Sequence, residues 1–281
     1  MKLIEKLIDW VGGEGEVPEF FGTLHLAFIL SVVALCAFLF IHLRDASDRA
    51  FRISIGVMAA VMIIGELLKQ ILLGLSIENG AVIYTYNWSD FPFQLCSTPL
   101  YVLPFLSFLP DCRLRDFCAS YVMTIGLIGG VAVYLAPKSV FTTRIFTNFH
   151  TMIHHGLQIV SGMYTAFYYR RRLDRRFFHD GIALFGVTFT IANILNTAGY
   201  DALVSMGKIA EGDPFNMFYI SPRADQTVPM CSEMFKSLPP VVFILGYFIL
   251  LSFLAWYVID LAKFIHRKSR WRMHLKMEGI K

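Results

Sequence analysis

The chain has 281 residues, of which 56% are apolar and 16% charged, with 26 Phe, a mean hydropathy of +0.57 and a formal charge of +4. Ordinary globular chains carry about 25% charge, so most of this surface must face lipid, which excludes a cytosolic enzyme and a disordered chain. Five cysteines with no CxxC pair argue against both a zinc ribbon and a disulfide framework.

The first segment, Met1–Trp10, places Leu3, Ile4, Leu7, Ile8 and Trp10 at a spacing that suits a short helix lying on a membrane. Its acidic residues interrupt any signal-peptide core. Seven apolar runs long enough to cross a bilayer follow, near Phe21–Leu43, Phe51–Leu75, Pro92–Leu109, Phe117–Ala136, Phe149–Tyr169, Phe177–Ala198 and Leu238–Ile265. Backbone in hydrocarbon must be satisfied within its own segment, so each run is expected to be a helix. The third is the shortest and contains Pro99 and Pro104. Because Pro99 cannot donate to the carbonyl of Leu95, that helix is expected to kink or open beside Cys96.

Lys and Arg gather in the first, third and fifth loops and in the C-terminal tail, above all at Arg170–Arg172 with Arg175 and Arg176, and from Lys263 to Lys281. That bias puts the N-terminus outside and the C-terminus in the cytoplasm. The basic groups are read as topology anchors near anionic lipid rather than as a nucleic-acid surface. The outer connections are long: Ser76–Phe91, Pro137–Asn148 and Gly199–Ser237, the last rich in turn chemistry and a candidate lid. The fold expected is all-α, a single polytopic domain over residues 1–281 forming a seven-transmembrane-helix bundle in the cell membrane.

Polar groups inside such spans call for a function. With about 1.5 Å of rise per residue, independent helices place His25, Glu66, Lys69, Cys96, His154, His155, Asn193 and Asn196 at one depth in the outer half. In the fifth run, His150, Thr151, His154, Gln158 and Ser161 share one helical sector, and His155 widens it. Glu66 and Lys69, three apart, are read as an ion pair. Thr190, Asn193 and Asn196 form a ladder suited to bonding between helices. Cys96 has two bland alternatives, a buried small hydrophobe or a disulfide with Cys231.

His150-Thr151-Met152-Ile153-His154-His155 resembles the HxxxHH boxes of membrane desaturases, but no second box exists, since His25, His42, His179, His266 and His274 are scattered. A single zinc on two or three of these histidines with His25 or Glu66 stays open as an alternative. No metal and no cofactor is expected in the leading reading.

Phe91-Pro92-Phe93-Gln94-Leu95-Cys96-Ser97, then Phe149-His150 and Ile153-His154-His155-Gly156-Leu157, resemble the YwaF-like family of bacterial integral membrane proteins, which is similar to eukaryotic transmembrane protein 164. Asn196-Thr197-Ala198-Gly199-Tyr200-Asp201 and Pro214-Phe215-Asn216-Met217-Phe218-Tyr219-Ile220-Ser221-Pro222 extend the resemblance over most of the chain. It implies a cysteine-dependent acyltransferase acting on phospholipids. A more distant relation, the androgen-induced protein family, hydrolyses fatty acid esters of hydroxy fatty acids. Carried over, Cys96 takes the nucleophile position and His155 the base, while His154 stands where many relatives have another residue.

The function expected is acyl transfer to or from a membrane lipid ester, with hydrolysis and transfer both open. Cys96 is the nucleophile and His155 or His154 the base; Gln94, Asn193 and Asn196 are candidate oxyanion donors, and Glu66 an orienting partner. The alternative of another class is a lipid or small-molecule carrier using the same outer pocket.

Overall fold

The computed structural model describes residues 12–43, 45–79, 81–223 and 238–278. The Met1–Trp10 segment, Cys231 and the 224–237 part of the outer loop lie outside the described residues, as do the side chains beyond 268. In chain order the elements are α1 (Thr23–Leu43), α2 (Asp48–Gly74), β1 (Leu75–Glu78), β2 (Ala81–Tyr84), α3 (Pro99–Phe108), α4 (Arg113–Leu135), α5 (Ile145–Tyr168), α6 (Arg175–Ser205) and α7 (Pro240–Glu278). The fold is all-helical apart from one hairpin. Five helices, α1, α2, α4, α6 and α7 up to Lys268, are long and apolar enough to cross a membrane. The third run gives only a ten-residue helix, and the fifth a 24-residue helix whose polar face sets it apart from those five.

The sequence signals explain where helices begin. Ser47 caps α2 by accepting from the Ala50 amide, and Asp174 caps α6 by accepting from the Phe177 amide at 2.8 Å. Pro99 does not kink a helix that is already running. It opens α3 at the first position, where its missing N–H is no loss, and so leaves Cys96 in a preceding 3-10 turn, Leu95–Ser97. Placing Cys96 four residues inside the third helix is therefore corrected.

Two features had no sequence signal. Single π turns, Val122–Gly126 and Leu195–Gly199, interrupt α4 and α6, the second carrying α6 on to Ser205, into what the sequence assigned to the outer loop. The second connection folds into the antiparallel hairpin β1–β2, with Leu75 opposite Tyr84. It follows the apolar run of α2, and its strands satisfy each other's backbone.

Packing centres on α4, two-thirds (67%) of whose apolar window is buried against 11% for α1. α4 packs on α5 and α6, α2 on α3 and α5, and α1 on α5. Glycines permit the closest approach. A Cβ at Gly130 would lie 2.8 Å from the His155 carbonyl oxygen, and one at Gly162 2.8 Å from Leu127 Cβ. α1 and α7 instead turn Leu30, Val33, Ile41, Leu245, Ile249 and Phe253 outward, as lipid-facing helices do.

At the end of the bundle away from Cys96, arginines meet aspartates. Arg115 is fully buried and lies 2.6 Å from Asp48; Arg113 pairs with Asp180; Arg170 pairs with Asp45; Arg172 pairs with Asp111 and Asp116. Hydrogen bonds from Arg172 hold the Asp111 carboxyl below the usual carboxylate range. Arg170 and Arg172, read from the sequence as facing anionic lipid, are thus engaged within the protein.

Candidate functional site

The face of α5 that looks inward carries Thr151, His154, His155, Gln158 and Ser161, all buried. Starting the helix at Ile145 sets their register, and Gly129 and Gly130 of α4 let the backbones close on them. Gln158 is fully buried, and His150, about two turns nearer the helix start, is 10% exposed at its side chain.

Opposite stands Glu66 of α2, 6% exposed. Its Oε1 accepts from Lys69 Nζ at 2.8 Å and from Gln70 Nε2 at 2.7 Å, and Gln70 is itself braced on the Asp90 carbonyl. The ion pair read from the sequence is present. The other oxygen, Oε2, lies 3.5 Å from His150 Nε2. Glu66, His150 and His154 each place one ligand-type atom within 4.8 Å of the other two.

The Cys96 turn closes the site from a third direction. Thr98 fastens it by donating to the Leu95 carbonyl at 2.8 Å and bonding the Tyr121 hydroxyl at 2.6 Å. Two α5 side chains then hold the Cys96 carbonyl: His154 Nε2, at 3.1 Å, and the amide nitrogen of Gln158. The contact falls on the backbone oxygen of Cys96; no hydrogen bond joins its sulfur to an imidazole among the described residues. Cys96 itself is a free thiol, half-buried, with Gly129 beside its Cα.

These partners assign tautomers. His154 donates from Nε2, leaving Nδ1 bare. His155 donates from Nδ1 to the Thr151 carbonyl at 2.7 Å, leaving Nε2 bare. Both bare nitrogens, and Nε2 of His150, are buried without a hydrogen-bond partner.

The other expected members of the layer are used elsewhere. His25 is saturated: its Nδ1 accepts from the Phe21 amide and its Nε2 donates to the Tyr134 carbonyl, so it offers no ligand nitrogen. Gln94 donates to the Asn216 carbonyl and accepts from the Phe218 amide; Asn196 donates to the Met217 carbonyl and accepts from the Met217 amide. Asn193 donates to Phe189 one turn back on its own helix. Gln94 and Asn196 therefore clamp the outer loop rather than await an oxyanion, and Asn193 serves α6. The clamped segment is strained: Phe218 and Tyr219 take φ of 58° and 59°, a left-handed conformation that such side chains rarely hold. Phe218 stacks on Phe93, two residues before Gln94's neighbour Leu95. Sequence reasoning missed Gln70 and Asp90. The i, i+4 spacing of Glu66 and Gln70 was the available signal.

Between α2 and α5 a groove of about 510 Å³ runs past the site. Val61, Ile64, Leu68, Phe149 and Ile153 line it and are exposed at the molecular surface, and its polar wall is His150 and His154. An apolar channel with a few convergent polar groups is the usual form of a ligand site.

Comparison with known proteins bears on most of the chain. The model of the TMEM164 family matches residues 20–260. No curated protein and no solved structure matches. The match agrees with the resemblance read from the Cys96 and histidine motifs, and with the apolar helices it marks a membrane protein.

Proposed function

Because the chain belongs to the TMEM164 family and docks its Cys96 turn on the histidine face of α5, we propose that it is a membrane-embedded acyl-transfer enzyme acting on a lipid ester. α5, and α3 together with the 91–98 stretch that leads into it, complete a seven-segment arrangement in the cell membrane, with the N-terminus outside and the site in the outer half.

The observation that carries the reading is the Cys96 turn itself: two buried α5 side chains fix its backbone, and beside them, turned to one side of the same helix face, His155 has a bare, buried nitrogen. His155 Nε2 takes the Cys96 thiol proton, and the thiolate attacks the ester carbonyl. The tetrahedral adduct collapses, the C–O bond breaks, and the leaving alcohol takes the proton from His155. Cys96 is left as a thioester. Water or a lysophospholipid hydroxyl, deprotonated by His155, then attacks that thioester and restores the thiol. His154 and Gln158 are positioning residues, and the α2–α5 groove receives the acyl chain.

The test is intact-protein mass spectrometry of the purified chain after incubation with membrane lipid. An acyl mass adduct, present in the wild type and absent in Cys96→Ala, supports the reading. A protein that binds lipid, turns over no ester and behaves identically with Cys96→Ala is a carrier, and the proposal fails.

A further inference from the structure

The pairing of Glu66 with His150 has the wrong length for a hydrogen bond and the right length for something else. Nε2 of His150 and Oε2 of Glu66 stand 3.5 Å apart, and His150 Nε2 is buried with no hydrogen-bond partner. Two ligands each about 2.0–2.1 Å from a tetrahedral ion lie about 3.3 Å from one another. From these observations we infer a zinc-class metal site made by Glu66, His150 and His154, with a fourth position open toward the α2–α5 groove.

Two of the three ligands, His154 and Glu66, already have the outer partner that metal ligands have. His154 donates its Nε2 hydrogen to the Cys96 carbonyl at 3.1 Å, which leaves Nδ1, buried and unpartnered, as its ligand nitrogen. On Glu66, Lys69 and Gln70 both occupy Oε1 and leave Oε2 toward His150. His150 and His154, one turn apart on α5, fall on the same face, and Glu66 enters from α2. Two imidazoles and one carboxylate are a donor set for zinc that keeps a coordination position for water or substrate. The Lys69 ammonium beside the carboxylate neutralises part of its negative charge, so affinity rests on the histidines more than on Glu66.

This site is independent of Cys96 as nucleophile, and the experiment separates the two. The full-length chain, purified in detergent, is stripped with chelator, titrated with Zn²⁺ and freed of excess, and its metal content is measured. The wild type, Cys96→Ala and His155→Gln should each retain one equivalent, and the double variant His150→Ala/His154→Ala should retain less than a tenth of that. Cobalt substitution gives a second readout in the same folded protein. The wild type should show the visible d–d bands of a four-coordinate ion, shifted by added azide at the open position. Metal content below a tenth of an equivalent in the wild type, or equal content in wild type and double variant, overturns the site. Cobalt bands indifferent to azide overturn the open position. Loss of ester turnover in Cys96→Ala with zinc retained leaves both proposals standing, whereas turnover retained in Cys96→Ala sinks the thioester route without touching the metal.

Discussion

His154 reaches Cys96 through its backbone: Nε2 stands 3.1 Å from the carbonyl oxygen, and Gln158 donates to the same oxygen. An imidazole used this way orients the turn that carries the thiol, and the neighbouring His155 keeps an unencumbered nitrogen. One helix face thus carries both an imidazole spent on the backbone and one with a free nitrogen, which the proposed acyl transfer would use for its proton.

His155→Gln should lower kcat for ester turnover by about 10²–10⁴-fold, the range of a general base, and abolish the acidic limb of the pH–rate profile. Gln158→Leu should lower kcat by about tenfold, as a mispositioned nucleophile does, while the acidic limb survives. Steady-state kinetics across pH separates the two. Equal loss of the limb in both variants would remove the distinction drawn here.

The clamp on the outer loop can be tested without any substrate. Asn196 is fully buried and satisfies both the amide and the carbonyl of Met217. Asn196→Ala leaves those groups unpaired and should cost about 1–3 kcal/mol. Hydrogen exchange should rise in residues 213–221 before anywhere in α4.

Glycine substitutions should split by position. Gly130→Val drives a side chain at the His155 carbonyl, 2.8 Å from the first added atom, and at Gln158 Cβ, 3.0 Å away. Overpacking of this kind costs about 1–3 kcal/mol and should displace the histidine face. Gly186→Ala meets nothing within 4 Å in the middle of α6 and should raise stability by up to about 1 kcal/mol. Thermal unfolding in detergent reads both.

The Asp111–Arg172 pair predicts a small acid-sensitive contribution. The Asp111 carboxyl is lowered in the folded chain by hydrogen bonding from Arg172, so its contribution is present above the unfolded carboxylate pKa of about 3.9 and is lost as pH falls through the lower folded value. Both side chains are about half exposed, which limits the effect to under about 1 kcal/mol. Asp111→Asn should therefore be slightly less stable than wild type at pH 7. The difference should fade as pH drops below the unfolded value and through the lower folded one, and shrink in high salt.

Much of this was legible before any coordinates. Apolar length located the five long apolar helices, though it made the third run, which gives only the ten-residue α3, into a full span; comparing depths put Glu66, His154 and Cys96 in one layer, where they meet. What failed was whatever depends on the partner rather than the residue. Asn196 and Gln94 read as site groups because a buried amide in a span needs a partner, and nothing in the sequence said that the partner was the Asn216–Phe218 backbone. His25 read as a member of the layer for the same reason, yet the Tyr134 carbonyl takes it. The π turns are invisible for another cause: one extra residue per turn barely changes an apolar pattern.

The glycine contacts between α4 and α5 have a mechanical corollary. Where Gly130 and Gly162 bring two backbones together with no side chain between them, neither helix can slide or tilt without immediate collision. Across the groove the contacts are the ends of Val61, Ile64, Leu68, Phe149 and Ile153, which yield by rotamer changes alone. An occupant too bulky for rotamer changes to admit can widen the entrance further only by shifting α2. With no metal bridging them, the histidines would stay fixed while the carboxylate moved, so in the metal-free chain the distance between Glu66 and His150 is the natural gauge of entry. A spin-label or cross-link pair placed across those two helices would register arrival of the substrate as a change in spacing.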